Sequence, residues 1–283
     1  MTDLTPMQKI QALREKTSAG MMDCKKALDE AGGDFDKAIE ILRKKGQADA
    51  AKRSGRATKE GVVASHISPD GKKGAIVELN CETDFVAKTD DFVKLASELA
   101  KKAAEGAIRS PDAAAADIAA AGSKVKENIA LRRLDRYELA GSGLLSSYIH
   151  TQGYKKGALI EFACASDAVA KHEATAELGR ELGLQIVAMS PRWLSKADVP
   201  SSEVEKEKEI YAAQLKNEGK PEAQIAKIVE GKVNKLFFQA NCLLEAVSMR
   251  DNKTPISKLV ADAAAKAGGA ITVKRFTRYQ LGE

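Results

Sequence analysis

The cysteines and histidines of this 283-residue chain, the side chains best placed to attack a bond, bind a soft metal or carry a proton near neutral pH, are few: Cys24, Cys81, Cys164 and Cys242, with His66, His150 and His172. No two cysteines stand in a C-x-x-C spacing, so neither a zinc site nor a disulfide framework is expected, and no H-E-x-x-H puts two imidazoles on one helix face. A phosphate cradle is missing as well. There is no G-x-x-x-x-G-K-[ST] and no G-x-G-x-x-G, so direct nucleotide binding is not expected. The adjacent carboxylates Asp90 and Asp91 suit the first turn of a helix, where they complement its dipole, better than an acid and base pair. These residues point to a binder of proteins, not an enzyme, with no cofactor and no metal. The residue that invites a role is Phe85, in the stretch NCETDFVAKTDDF from Asn80 to Phe92, where a large ring stands between Asp84 and the run Val86-Ala87-Lys88.

An internal duplication positions that ring. Residues 61–88, GVVASHISPDGKKGAIVELNCETDFVAK, recur as residues 143–171, GLLSSYIHTQGYKKGALIEFACASDAVAK, once a single inserted residue, Tyr154, is allowed. Gly61 matches Gly143, Glu78 matches Glu161, Cys81 matches Cys164, Asp84 matches Asp167 and Val86 matches Val169. In each copy two apolar runs joined by a glycine-containing turn predict a β-hairpin. A helix follows in each, 91–104 with Phe92, Leu95 and Leu99, and 172–188 with Leu178, Leu182 and Ile186. The fold class is therefore α+β, with a core of two duplicated α+β subdomains that carry small antiparallel sheets.

The duplication also acts as a control, since residues shared by both copies are those the common fold needs. Cys81 and Cys164 read as small buried fillers. No histidine stands at matching positions in both copies to activate them, which argues against a thiol nucleophile. Val86 and Val169 read as core. The position of Phe85, however, is held in the second copy by Ala168. A core site that lost a phenylalanine would forfeit about 3 to 5 kcal/mol, so Phe85 is expected to point outward as an interface anchor. Local repacking that fills the gap is the alternative.

Ahead of the repeat, residues 1–46 carry Ile10, Leu13, Cys24, Ala27, Leu28, Phe35, Ala38, Ile39 and Leu42 at helical spacing. Three short helices are predicted, broken at Thr17–Gly20 and at Gly32-Gly33, with Asp34 capping the third. Residues 47–60, QADAAKRSGRATKE, have no apolar face and read as a basic linker or a solvated helix extension. Lys52, Arg53 and Arg56 would need more clustering to make a phosphate footprint, so nucleic acid is not the expected partner. The first subdomain then spans 61–142 and the second 143–283. Within the second, residues 201–238 predict a coiled-coil-like helical hairpin, with Val204, Tyr211 and Leu215 facing Ile225, Ile228, Val229, Lys232 and Leu236 across Asn217–Pro221. Its apolar seam either closes on itself or joins a second copy as a homodimer. A helix over 255–267 and the strand ITVKRFTRY end the chain.

Composition sets the wider bounds. With 44% hydrophobic and 30% charged residues and a net charge of +5, a globular protein is expected, and the charge is too mild to argue for nucleic acid by itself. No apolar run approaches the ~20 residues that span a bilayer. The first residues lack the apolar stretch of a signal peptide. A cytoplasmic location is expected.

The stretches LREKTSAGMMDCKKALDEAGGDFDKAIEILRKKG and NCETDFVAK closely resemble the elongation factor Ts family, the guanine-nucleotide exchange factors of elongation factor Tu. The resemblance implies a ubiquitin-associated-like three-helix N-terminal domain, the duplicated core and the inserted hairpin. It implies elongation factor Tu, GDP-bound and nucleotide-free, as the partner. Arg14, Met21 and Met22 would touch the partner's nucleotide-binding domain, while Asp84 and Phe85, within the motif Thr83-Asp84-Phe85-Val86, would wedge beside its magnesium and phosphate site. Ile129, His150 and Met249 are further carry-overs, set in more divergent flanks. Consecutive residues on a helix face different ways, so at least one of Met21 and Met22 is expected at the surface, with the other packed inside. Two departures from the family are the extra residues at Gly153 to Lys156 and the end of the chain at Leu281-Gly282-Glu283. Rival readings are an RNA-binding protein using Lys52, Arg53 and Arg56, a thiol enzyme centred on Cys81, and an adaptor whose helical domain captures a peptide.

Overall fold

Apolar residues at helical spacing in the first fifty positions fold as α1 (Pro6–Thr17), α2 (Met21–Glu30) and α3 (Phe35–Arg53). The computed structural model describes residues 5–17 and 19–283, with Gln47, Ala50 and Ala51 as backbone only, so Ser18 in the first expected break lies outside it. Leu13, Cys24, Ala27, Leu28, Ala38 and Leu42 close a small core between the three helices. At the end of α2 the chain turns through two left-handed glycines, Gly32 and Gly33, and the Gly33 amide donates to the Leu28 carbonyl at 2.8 Å. Asp34 then caps α3, its Oδ1 accepting from the amides of Asp36 and Lys37.

The segment 47–60 is not a free linker. Its first half continues α3 to Arg53, and α3 lies along α6 (Ala115–Val125). Close approach comes from small residues: a Cβ on Gly46 would stand 3.2 Å from Ser123 Oγ, and Arg53, 8% exposed, lies beside Gly122. Among the described side chains the contact is made by small and basic residues, which is why the segment reads as solvated from its pattern alone.

The duplicated core follows. β1 (Glu60–Ile67), β2 (Lys73–Cys81) and β3 (Ile129–Glu138) form one antiparallel sheet in that order. Its connections include α4 (Asp84–Ala87) and α5 (Asp90–Ala104), and α6 precedes β3. β4 (Gly143–Ile149), β5 (Lys156–Cys164) and β6 (Ile271–Gln280) form the second sheet with the same order, and α7 (Asp167–Ala170) and α8 (Glu173–Met189) repeat α4 and α5. The likeness extends to irregularities, with a register shift after Glu78 in β2 and after Glu161 in β5. It also extends to a third strand. β3 and β6 hold Ile129 and Ile271, Arg133 and Arg275, and Tyr137 and Tyr279 at equal register against their hairpins.

Each sheet buries one face under its own helix and the other against its twin. Ala75, Val77, Leu79 and Cys81 pack with Phe92, Ala96, Leu99 and Ala103 of α5, while Ile160 and Phe162 pack with Leu178, Leu182 and Ile186 of α8. Between the sheets Val63, Ile76, Leu145, Leu159, Tyr137 and Tyr279 form a third apolar layer. Its edges are cross-stacked: the Arg133 guanidinium lies 4.2 Å over the Tyr279 ring, and that of Arg275 lies 4.0 Å over Tyr137.

The second copy holds the insertion. α9 (Ser201–Asn217) and α10 (Glu222–Lys232) reverse at Gly219, in the left-handed region. The chain continues through a π-helical stretch, Val233–Phe238, and α11 (Gln239–Asn241) to α12 (Ile256–Ala267), which packs on α8. Leu215, Ile225, Val229, Val233 and Phe237 bury together, so the hairpin seam closes within the chain. Among the described residues no helix is long and apolar enough to cross a membrane.

Candidate functional site, a protein-binding corner

Where β2 ends, the backbone turns through Glu82 and Thr83 into the single turn of α4. Thr83 is the N-cap, its hydroxyl oxygen accepting from the Val86 amide at 3.4 Å. In one turn of helix, residues two apart point to nearly opposite sides. Ala87 is 5% exposed and seated in the first core, so Phe85 faces solvent and is 81% exposed. Val86 is half-buried against the same core. The second copy repeats the geometry without the ring: Ser166 caps α7, Val169 and Ala170 are buried, and Ala168 is exposed.

The electrostatics of the corner are local. Asp84 pairs with Lys88 one turn on, and the hydrogen bond from Lys88 holds its carboxyl below the usual value. Lys155, at the tip of the second hairpin, also draws it down, and its ammonium lies 2.8 Å from Glu60. That tip is held by the inserted residue, since the Val63 amide on the edge of the first sheet donates to the Tyr154 carbonyl at 2.6 Å. Tyr154 itself takes a left-handed conformation, φ 54°. His150 opens the same turn; its amide donates to the Lys156 carbonyl, and its Nδ1 lies 3.3 Å from the Tyr148 hydroxyl. The turn that His150 opens thus carries Lys155, whose charge reaches Asp84.

The remaining expected contacts are elsewhere. Arg14 is exposed on α1, and Met249 is 37% exposed in the loop before α12, its amide donating to Gln185 Oε1 at 2.9 Å. Two expectations need correction. Met21 and Met22 are both exposed, at 51% and 63%, because they form the first turn of α2 and overhang a core that begins at Cys24. Ile129 is 4% exposed: it opens β3 opposite Cys81 with its side chain in the first core, so it supports the corner from beneath and offers no surface.

Glu127 and Lys155 were not among the expected site residues. Glu127 lies in the loop before β3, and its Oε2 accepts from the amides of both Glu82 and Thr83 at 3.1 Å, while Oε1 accepts from the Thr83 hydroxyl at 2.5 Å. A signal for it existed in the third-strand repeat, which aligns Glu127 with Gly269. Cys81, next to the corner, is fully buried and gives its thiol hydrogen to the Thr83 carbonyl at 3.2 Å. Burial, with the charge of Glu127 adding to it, pushes that thiol up to about 12. Among the described residues no group of three or more His, Cys, Asp or Glu side chains could hold a metal ion.

A rigid corner with one displayed ring, charge-paired at its rim, is suited to enter a pocket of another protein. The family model described as elongation factor TS matches residues 82–283. The chain is 45% identical over 278 residues to elongation factor Ts of Symbiobacterium thermophilum, covering 97% of this chain and 91% of that one. It is 45% identical over 285 residues to elongation factor Ts of Clostridium botulinum strain Alaska E43, covering 97% and 92%. With elongation factor Ts of Nitratidesulfovibrio vulgaris strain DP4 the identity is 43% over 276 residues, covering 97% and 94%.

Proposed function

Because the chain belongs to the elongation factor Ts family of translation elongation factors, we propose that it promotes GDP release from elongation factor Tu by inserting Phe85 beside that partner's magnesium and phosphate site. The observation that carries the reading is the 81% exposure of Phe85 on a capped, anchored turn, at a position where the structural twin has only Ala168. An exposed aromatic on a pre-ordered element binds without the entropy cost of ordering a loop.

The energetics follow from linkage. A factor that speeds exchange must bind the nucleotide-free partner better than the nucleotide-bound one, and whatever factor it imposes on GDP affinity, GDP imposes on it. Each tenfold requires about 1.4 kcal/mol of differential binding. Magnesium demands near-ideal octahedral geometry, so a ring that displaces the partner's surrounding groups can supply such differences without covalent chemistry by this chain. Arg14, Met21 and Met22 extend the contact onto the partner's nucleotide-binding domain, and His150 and Met249 add contacts from the second copy. The place of action is the cytoplasm. The hairpin over 201–238 is proposed as a separate contact surface; Leu236 on it is 53% exposed. Sedimentation of the intact chain beside Leu236→Glu tests self-association there, which is refuted by equal masses for both at high concentration.

The deciding experiment mixes this protein with elongation factor Tu loaded with fluorescent GDP. Rapid loss of fluorescence in excess unlabelled nucleotide is expected. An unchanged release rate at saturating protein sinks the reading.

A further inference from the structure

We infer that Glu127 is the positioning residue of the corner, a carboxylate clamp that fixes the backbone at Glu82 and Thr83 so that Phe85 is presented in one orientation. The inference rests on the proposed role of Phe85, and three observations on this chain carry it.

Glu127 reaches across a sequence separation of more than forty residues to take three hydrogen bonds with both oxygens: two from consecutive backbone amides and one from the N-cap hydroxyl of α4. Bonds to an ionised acceptor are shorter and stronger than neutral ones, and two amides plus a hydroxyl fix direction as well as distance. The clasp is reciprocal, because Glu82 Oε1 accepts from the Asn128 amide at 2.6 Å. The two strand ends are thereby tied on both sides of the turn.

The second copy is the control. There Glu127 is replaced by Gly269, and the turn is held by a plain backbone bond from the Ala165 amide to the Ala270 carbonyl at 2.9 Å. No side chain fits: a Cβ on Gly269 would stand 2.6 Å from Val169 Cγ2 and 3.2 Å from Ala165 Cβ. The same turn therefore folds without a carboxylate. The copy with the displayed ring has the clamp, and the copy with Ala168 has closed the space for one.

The Thr83 hydroxyl links clamp to ring. It donates to Glu127 while its oxygen accepts from Val86 in α4, so its rotamer, and with it the start of the helical turn, is set by Glu127. Loss of the carboxylate leaves the hydroxyl free to rotate and two amides to find water, and the turn that aims Phe85 loosens. Misplacement of a working group by about 1 Å costs on the order of a hundredfold in rate.

The test combines Glu127→Ala, Phe85→Ala and the double variant in the GDP-release assay, with amide hydrogen exchange along the chain. Glu127→Ala is expected to slow stimulated release by at least about tenfold and to raise amide exchange at residues 82–87, with the cores unaffected. In a clamp that acts through the ring, Glu127→Ala adds nothing once Phe85 is gone, since coupled residues are not additive. Additive losses, or normal release by Glu127→Ala when Phe85→Ala is slow, overturn the clamp and leave the wedge standing. Normal release by Phe85→Ala removes the wedge itself, and the clamp's role in exchange falls with it. Should Glu127→Ala lower the melting temperature of the whole chain, Glu127→Gln carries the same test: it keeps the shape but turns an amide NH2 toward one of the three donors, and loss at residues 82–87 alone is expected.

Discussion

Phe85→Ala separates display from packing. A ring that is 81% exposed contributes little to folding, so thermal stability should stay within about 0.5 kcal/mol of the parent. Truncating an interface anchor costs about 2 kcal/mol, which slows stimulated GDP release roughly thirtyfold if the energy is used only as nucleotide leaves. Val86→Ala is the matched control, expected to lose about 1 kcal/mol of stability for a half-buried side chain and to keep most of its exchange activity. Early melting of Phe85→Ala with an inactive but stable Val86→Ala would invert the corner. Cys81 offers a second check. Its thiol is raised to about 12 from an ordinary 9.0, so the folded state favours the neutral form; the stability this gives is complete below pH 9 and is lost as pH rises toward 12. The thiol should resist iodoacetamide at pH 8 in mass spectra of the folded chain, and Cys81→Ala should flatten the fall of stability above pH 9. Phe85 was legible because a repeat supplied its twin. Glu127 was hidden because its loop lies outside the obvious repeat, and the outward turn of both methionines follows from their place in the first turn of α2, ahead of a core that begins at Cys24, which spacing does not encode.

At the scale of elements, the hairpins, their helices and the last strand, β6, follow from alternation and period, but β3 and its kinship with β6 do not. β3 and β6 share Ile, Arg, Arg and Tyr at equal spacing, yet the helical insertion separates β6 from its hairpin by more than twice the chain length found in the first copy. The repeat is therefore faint in sequence and plain in register. Its cost is visible at Glu78, whose carboxylate is fully buried on β2. Burial opposes its ionisation, but hydrogen bonds from the Gly282 amide, Arg132 and Arg133 outweigh that and hold it below the ordinary 4.5. The folded value is the lower one, so the stability it confers is present above pH 4.5 and is lost as pH falls through the folded value. Glu78→Gln should cost about 1 to 2 kcal/mol at pH 7, discounted because both arginines are partly exposed. The variant should also lose less than the parent on acidification. Urea melts at pH 7 and pH 4 give both quantities, and a parent and variant that shift equally between them would remove Glu78 as the titrating group.

For the whole molecule the open relation is between the helical bundle and the duplicated core. The bundle has its own apolar centre at Leu13, Cys24, Ala27, Leu28, Ala38 and Leu42, and none of these residues belongs to the two subdomain cores. What joins the parts is the α3 and α6 seam, through small residues, the buried Arg53, and Asp23, which bridges Lys45 at 2.7 Å and Lys126 at 3.5 Å. Exposed ion pairs of that kind contribute about 0 to 1 kcal/mol. Removal of residues 1–46 should therefore leave the core folded, with a thermal transition close to that of the parent. The remaining stub of α3 should fray, since seven helical residues are too few to hold a helix alone. Stimulated exchange should weaken, because Arg14, Met21 and Met22 leave with the bundle while Phe85 and Glu127 stay. A deletion of residues 1–56 distinguishes the seam from the bundle: it also strips Arg53 from Gly122 and should lower the transition further only if α3 braces α6. Circular dichroism of the two truncations decides between the parts. An unfolded 47–283 chain would mean that bundle and core form one cooperative unit, and that their separation in sequence at residue 46 has no counterpart in stability.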